Sequence, residues 1–327
     1  MVWLTWRQHR AEALGGLLLL GAVAAILLAV GVPMHAAYHQ AGIAACLGQP
    51  DATPTCASAI DDFASRFSTT TNSLLGLVPW LNFLPAVVGI FVGAPLLARE
   101  FEHDTWRLAW TQAVPRTRWL AVKLAVLLAA ILALTTVLSG LFGWYRGPLD
   151  RLDGRLVASA FDFEGLSLPA YTLFAFALGT LAGILTRRTV LAMGATLAGF
   201  VAVRLPVEDW LRPHYQRPVT AIVDPLDLQH GSVVDTNLNL GRRLLDAGGH
   251  QLSLAQQRSL FNSLASTTSG TRDSLTASLH QHGYHWQVIY QPASRYWHFQ
   301  LIEAALFTGL AGILLAVAIW QLHRRVG

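Results

Sequence analysis

Lysine is almost missing from this chain: Lys123 is the sole example in 327 residues. A phosphate-gripping loop of the form G-x-x-x-x-G-K-[ST] needs a lysine against the β and γ phosphates. Lys123 stands in RWLAVKLAV, with no glycine near it. The chain therefore has no such loop, and any ATP that drives it is hydrolysed elsewhere. Charge of both signs is scarce: 13% of residues are charged, against about 25% in an average soluble domain. That deficit points to lipid as the solvent. The arginines are scattered between apolar blocks, so they make no basic face and imply no nucleic-acid partner. Cysteine occurs twice, as Cys46 and Cys56. No C-x-x-C spacing suggests metal or redox chemistry. Outside the cytoplasm the two would form a disulfide worth roughly 2–3 kcal/mol, two free thiols being the alternative.

What fills the chain is apolar, with 53% hydrophobic residues and a mean hydropathy of +0.43. A helix needs about 20 such residues to cross a bilayer. Six blocks qualify or come close, the fifth being the shortest: 14–34, 74–98, 119–143, 168–186, 189–205 and 300–320. The first is too long for a cleaved signal and reads as a retained span. The second contains Pro79, Pro85 and Pro95, which membrane helices tolerate when neighbours satisfy the freed carbonyls. These runs are too continuous for barrel strands. The expected fold is an all-α polytopic membrane protein of six helices, with an outer subdomain between helices 5 and 6.

Basic residues set the expected orientation. With the N-terminus inside, segments 1–13, 99–123, 186–189 and 321–327 hold 11 basic residues in 49 positions. The short outer loops 35–73 and 144–167 hold 4 in 63. Both termini are therefore expected in the cytoplasm, and the chain is expected in the cell membrane. Trp80, Trp144, Tyr145, Tyr171 and Trp297 are read as rings at the outer interface, with core packing as the alternative reading. Trp3, Trp6, Trp119 and Trp320 take the same role at the inner one.

The parts divide into 1–205 with an inner loop at 99–118, an outer segment 206–299, and 300–327. The outer segment opens with Pro206, Pro213, Pro218 and Pro225. A helix is expected from Ser253, with Leu254, Leu260 and Leu264 on one side. Thr271 reads as the cap of a second helix stopping at Gly283, and the stretch from Tyr284 reads as extended.

The inner loop AREFEHDTWRLAWTQAVPRTRWLAVKL carries acids early and bases late, as a short helix dipole prefers. Trp106 and Trp110, four apart, share a face. Such a helix would lie flat at the membrane surface and present charge to the cytoplasm. The loop resembles the coupling segment of ABC-2 type transporter permeases, where E-x-E-x-G-T leads to a proline and then a basic residue. Glu100, Glu102, Thr105, Pro115 and Lys123 match in order, and Asp104 stands where the family has glycine. The segment 290–307 is similar to the approach to the last span in actinobacterial members. The six-span layout, with its largest outer loop between spans 5 and 6, agrees along the full length.

The resemblance implies a permease subunit that pairs with a second permease, identical or different, and with nucleotide-binding ATPase subunits holding ATP and Mg²⁺. It makes Glu100, Glu102, His103, Asp104, Thr105, Trp106 and Arg107 the ATPase-coupling residues and implies no catalytic residue here. The substrate would be hydrophobic or amphipathic, moved outward through a membrane-lipid setting.

Glu303 is the acid that falls inside a span, and intramembrane ionisable groups are costly and often functional. It is expected to pair with Arg204 or Arg295 near an outer gate, a solvated place at headgroup depth being the alternative. His35 with His39, and His280, His282 and His285, are read as solvated histidines rather than metal ligands. H-E-x-x-H and G-x-S-x-G are both absent. Two alternatives stand beside the permease: a membrane sensor or assembly subunit that transports nothing, and an intramembrane enzyme built on Glu303 and the outer histidines.

Overall fold

A computed structural model of the chain describes residues 2–47, 54–75, 83–102, 116–227, 236–267 and 271–326. Six helices among them are long and apolar enough to cross a membrane. They are span 1 (Leu14–Gln40), span 2 (Leu84–Glu102), span 3 (Ala121–Asp153), span 4 (Ser167–Thr186), span 5 (Thr189–His214) and span 6 (Ala293–Arg324). Each overlaps one of the six apolar blocks. Six crossings put both chain ends on one side, called here the termini end; the opposite side is the sheet end.

Boundaries differ from the hydropathy reading where polar residues find partners. Residues 74–75 close an earlier helix, α1 (Pro54–Leu75), instead of opening span 2. Span 3 runs on through Trp144, Pro148 and Asp150, which the composition assigned to a loop. Its extension stays helical because Tyr145 and Leu149 bury against Tyr38 of span 1 while Arg146 pairs with Asp150. Span 5 passes Pro206 and ends nine residues beyond the expected limit of 205.

Span 4 is the centre of the bundle and touches spans 2, 3, 5 and 6. Its sequence, SLPAYTLFAFALGTLAGILT, carries no ionisable side chain but Tyr171, so every face can be enclosed. The contact with span 2 depends on glycines. A Cβ at Gly89 would lie 2.5 Å from the Ala175 carbonyl, and one at Gly93 2.6 Å from that of Phe176. Gly183 approaches the Ala94 carbonyl as closely, and Gly179 faces Gly89 itself. Two G-x-x-x-G motifs thus interlock, letting the backbones meet. Residues Gly89–Gly93 form a π-helical turn at this contact. Phe307 of span 6 closes the other side, edge-on to Tyr171 and Phe174.

Spans 1 and 3 form a second core with α1, centred on Met34, Tyr38, Phe63, Phe142 and Phe163. A disulfide between Cys46 and Cys56 ties span 1's end to α1, with the Cα atoms 5.5 Å apart. The outer surface of the spans is apolar: Leu18 is 74% exposed, Val190 79% and Ile313 62%. A face of that kind is soluble in lipid and not in water.

Beyond span 5 the chain adds what hydropathy did not show, a three-stranded antiparallel sheet of order β1-β3-β2. The strands are β1 (Val219–Val223), β2 (Leu238–Leu245) and β3 (His285–Gln291). Two helices, α2 (Leu254–Thr267) and α3 (Arg272–Gln281), precede β3 in the chain. Ser253 and Gln256 form a capping box at α2, and Thr271 caps α3 through the Ser274 amide. Leu264 and Leu279 bury against Leu244 of β2, with Leu260 half-buried beside them. Leu254, expected on that side, is 73% exposed, since it opens α2.

Candidate functional site

At the sheet end, spans 4, 5 and 6 enclose a cluster of charges. Span 5 supplies two arginines eight residues apart, Arg204 and Arg212. Eight residues advance an α-helix about 80° beyond two full turns. The looser π-helical turn Val207–Leu211 takes up that excess, and both guanidiniums reach one carboxylate. Arg212 Nη2 donates to Asp162 Oδ1 at 2.6 Å, and Arg204 Nη2 lies 2.7 Å from Asp162 Oδ2, off the hydrogen-bond line. Arg212 also grips Glu303 of span 6 with two bonds, Nε to Oε2 at 3.0 Å and Nη2 to Oε1 at 2.9 Å. Tyr171 of span 4 donates its hydroxyl to Glu303 Oε1 at 2.6 Å. The arginines also stack on rings, Arg204 over Tyr171 and Arg212 over Phe161, each 4.3 Å from the centroid. Glu208, at the wetter edge, sits 3.2 Å from Arg204.

Glu303, Asp162, Arg212 and Tyr171 are all buried. Charges so placed are tolerated because each meets an opposite charge and hydrogen bonds. Gln300, one turn before Glu303, extends the network. Its Oε1 accepts from the Leu166 and Ser167 amides and the Ser167 hydroxyl, and its Nε2 donates to the Phe161 carbonyl. This one side chain therefore satisfies two of the open amides at the start of span 4.

Beside it lies a four-membered box. Arg146 donates to Asp150 at 3.0 Å, and Arg155 donates to Glu164 at 2.9 Å and stacks over Tyr296 at 4.0 Å. Burial, followed by the neighbouring Asp150 carboxylate, pushes the Glu164 carboxyl up to about 8. Arg155, 38% exposed, is the wet corner of the box.

The termini end has its own contacts. Lys123 of span 3 donates to Glu100 at 2.6 Å and to the Leu96 carbonyl at 3.3 Å. Glu102 accepts from the Thr189 amide and hydroxyl, at 3.2 and 2.7 Å, where span 5 begins. A carboxylate is favoured at such a helix start.

The model of the family described as ABC-2 membrane transporter related matches residues 17–212, over half of the 327. The chain belongs to that family. No curated protein and no solved structure matches it. The matched stretch begins in the first turn of span 1, ends in the last turn of span 5 and stops before β1. As a member, the chain is a multi-pass membrane component of a transporter.

In this ABC-2 family member the residues singled out from sequence fall in different places. His103, Asp104, Thr105, Trp106 and Arg107 lie outside the described residues. Glu100 and Glu102 sit at the last turn of span 2 in the contacts above. Glu303 has Arg204 3.8 Å away, but its close partners are Arg212 and Tyr171. Arg295 is elsewhere, donating to the Arg217 carbonyl and the Gln291 side chain. Tyr171 and Tyr145 are buried within the bundle rather than placed at an interface, because each reaches a packed partner. His280 pairs with Asp224 at 2.7 Å, and His35 stacks on Trp144. Among the described residues no group of three or more His, Cys, Asp or Glu could hold a metal ion.

Sequence reasoning missed Asp162, Arg212 and Gln300. Arg212 stands among turn-forming prolines in what looked like a loop. Its one signal was the spacing of eight from Arg204, which carries meaning only once a π turn is known.

Proposed function

We propose that this chain is the membrane subunit of an ATP-binding-cassette exporter that moves a hydrophobic or amphipathic substrate. It works with a nucleotide-binding ATPase subunit, which holds ATP and Mg²⁺, and with a second permease subunit, the same chain or another. Family membership is the observation that carries this reading. The absence of any phosphate-gripping lysine motif in these residues supports it, since none of them would grip ATP for such a cycle. In this reading both termini and residues 99–118 face the cytoplasm, and that segment docks on the ATPase through His103, Asp104, Thr105, Trp106 and Arg107. Closure of the ATPase shifts the segment as a rigid body and biases the spans between two arrangements. At the opposite end, the Arg204–Arg212–Glu303 cluster holds spans 5 and 6 together as part of the outer gate.

The test is co-purification. Wild-type chain in mild detergent should carry an ATP-binding-cassette ATPase, and the pair Asp104→Arg with Arg107→Glu should lose it. Wild-type chain that binds no such ATPase, or that turns over a substrate alone, would replace this reading with the sensor or enzyme one.

A further inference from the structure

Three consecutive residues at the end of span 2 each hold a different neighbour. Glu100 bonds Lys123 of span 3. The Phe101 ring lies under the Arg187 guanidinium, 5.8 Å from centroid to Cζ, in the turn between spans 4 and 5. Glu102 bonds the first residue of span 5, Thr189. Successive side chains on a helix point about 100° apart, so these three grip it over an arc of roughly 200°. Such an end cannot turn or slide without breaking at least one contact.

Two details strengthen the grip. Lys123 is buried, with a side chain 5% exposed, and its charge there requires the Glu100 carboxylate. Every other Lys or Arg position in the chain is arginine. The compact ammonium sits between the Glu100 carboxylate and the Leu96 carbonyl. Arg187 has φ 55°, the one positive value outside glycine among the described residues. That left-handed residue sets the tight turn that brings Thr189 to Glu102.

We infer that residues 100–102 form a three-point joint at the root of residues 103–115, with Glu100 and Glu102 as positioning residues rather than partner contacts. The joint passes movement of the loop into spans 3 and 5 together. The inference rests on the proposed docking of that loop to an ATPase, and it departs from the expectation that these two acids touch the partner.

The test uses full-length chain in nanodiscs with the ATPase that co-purifies with wild type. The variants are Glu100→Lys, Lys123→Glu, the double reversal, and Glu102→Gln. The readouts are ATPase bound and the rise in ATP turnover on complex formation. Each single reversal should bind ATPase within about twofold of wild type yet lose about tenfold or more of the stimulation, with the double reversal restoring most of it. Glu102→Gln should retain binding and lose part of the stimulation. Release of the ATPase by Glu100→Lys or Glu102→Gln would make these residues partner contacts and overturn the inference. So would full stimulation in the singles, or a folded double reversal that restores nothing. If the single reversals misfold by size exclusion, Glu100→Gln with Lys123→Met removes both charges; it should keep ATPase binding within about twofold and lose stimulation, and full stimulation there would overturn the inference.

Hydrogen exchange on the chain alone separates this inference from the docking reading. Protection at 97–102 and 189–192 should fall together in Glu100→Lys and return in the double reversal. Independent behaviour of the two stretches would refute the joint even where an ATPase binds. If no ATPase binds, coupled behaviour would still support the joint while the docking reading fails.

Discussion

Arg212 joins three parts of the chain through one guanidinium: Asp162 before span 4, Glu303 in span 6 and Tyr171 in span 4. Removing it takes the nearest cation from two buried carboxylates, leaving Asp162 to Arg204 and Glu303 to Tyr171. Arg212→Ala is expected to destabilise the protein by about 3–5 kcal/mol, read as a lowered midpoint in detergent denaturation. Arg295→Ala, which loses contacts near the surface, should cost about 1 kcal/mol or less on the same assay. Glu164 gives a pH signature. Its carboxyl is raised from 4.5 to about 8, so between those values the folded chain keeps a proton that the unfolded chain has released. That contribution is fully present below pH 4.5 and fades as pH rises through about 8, with a slope of up to about 1.4 kcal/mol per pH unit. Glu164→Gln should flatten this part of the stability profile between pH 5 and about 8. An unchanged slope would place the proton elsewhere.

Two packing devices act among the helices. The crossing of span 2 on span 4 leaves no room for a side chain at Gly89, Gly93 or Gly183. Gly93→Val is expected to cost at least about 1–3 kcal/mol by overpacking, and it should lower the yield of folded protein on size exclusion. Gly194→Val, where nothing lies within 4 Å, is the control and should behave as wild type. The Cys46–Cys56 disulfide closes a short loop between span 1 and α1. Its reduction should lower stability by about 2–3 kcal/mol on chain-entropy grounds, measured as a shift in melting under reductant. Hydropathy located all six spans because burial in lipid is written into composition. Their ends were less legible. Span 3 continued through Arg146 and Asp150, which pair with each other while Tyr145 and Leu149 pack against span 1, and span 5 continued through Pro206 into a π turn. The helices α2 and α3 were readable from local caps. Strands β1 and β2 were not, since their pairing with β3 is non-local.

For the molecule as a whole, an even number of crossings and the bias of basic residues make one topology testable. A cysteine at Gly248, near the sheet, should react with an impermeant maleimide in intact cells. A cysteine at Arg325 should react after lysis alone. The reverse pattern would turn the bundle over and put residues 99–118 out of reach of a cytoplasmic ATPase. By itself the sequence determined the solvent and the number of spans. These follow from counts and runs: apolar blocks long enough for a bilayer, and few charges. Tertiary structure decided which charges meet. Asp162, Arg204, Arg212 and Glu303 are separated by up to 141 positions, and Glu100 and Lys123 by 23. No local pattern encodes such a meeting, because it depends on how a π turn, a pair of glycine crossings and six helix axes add up in space.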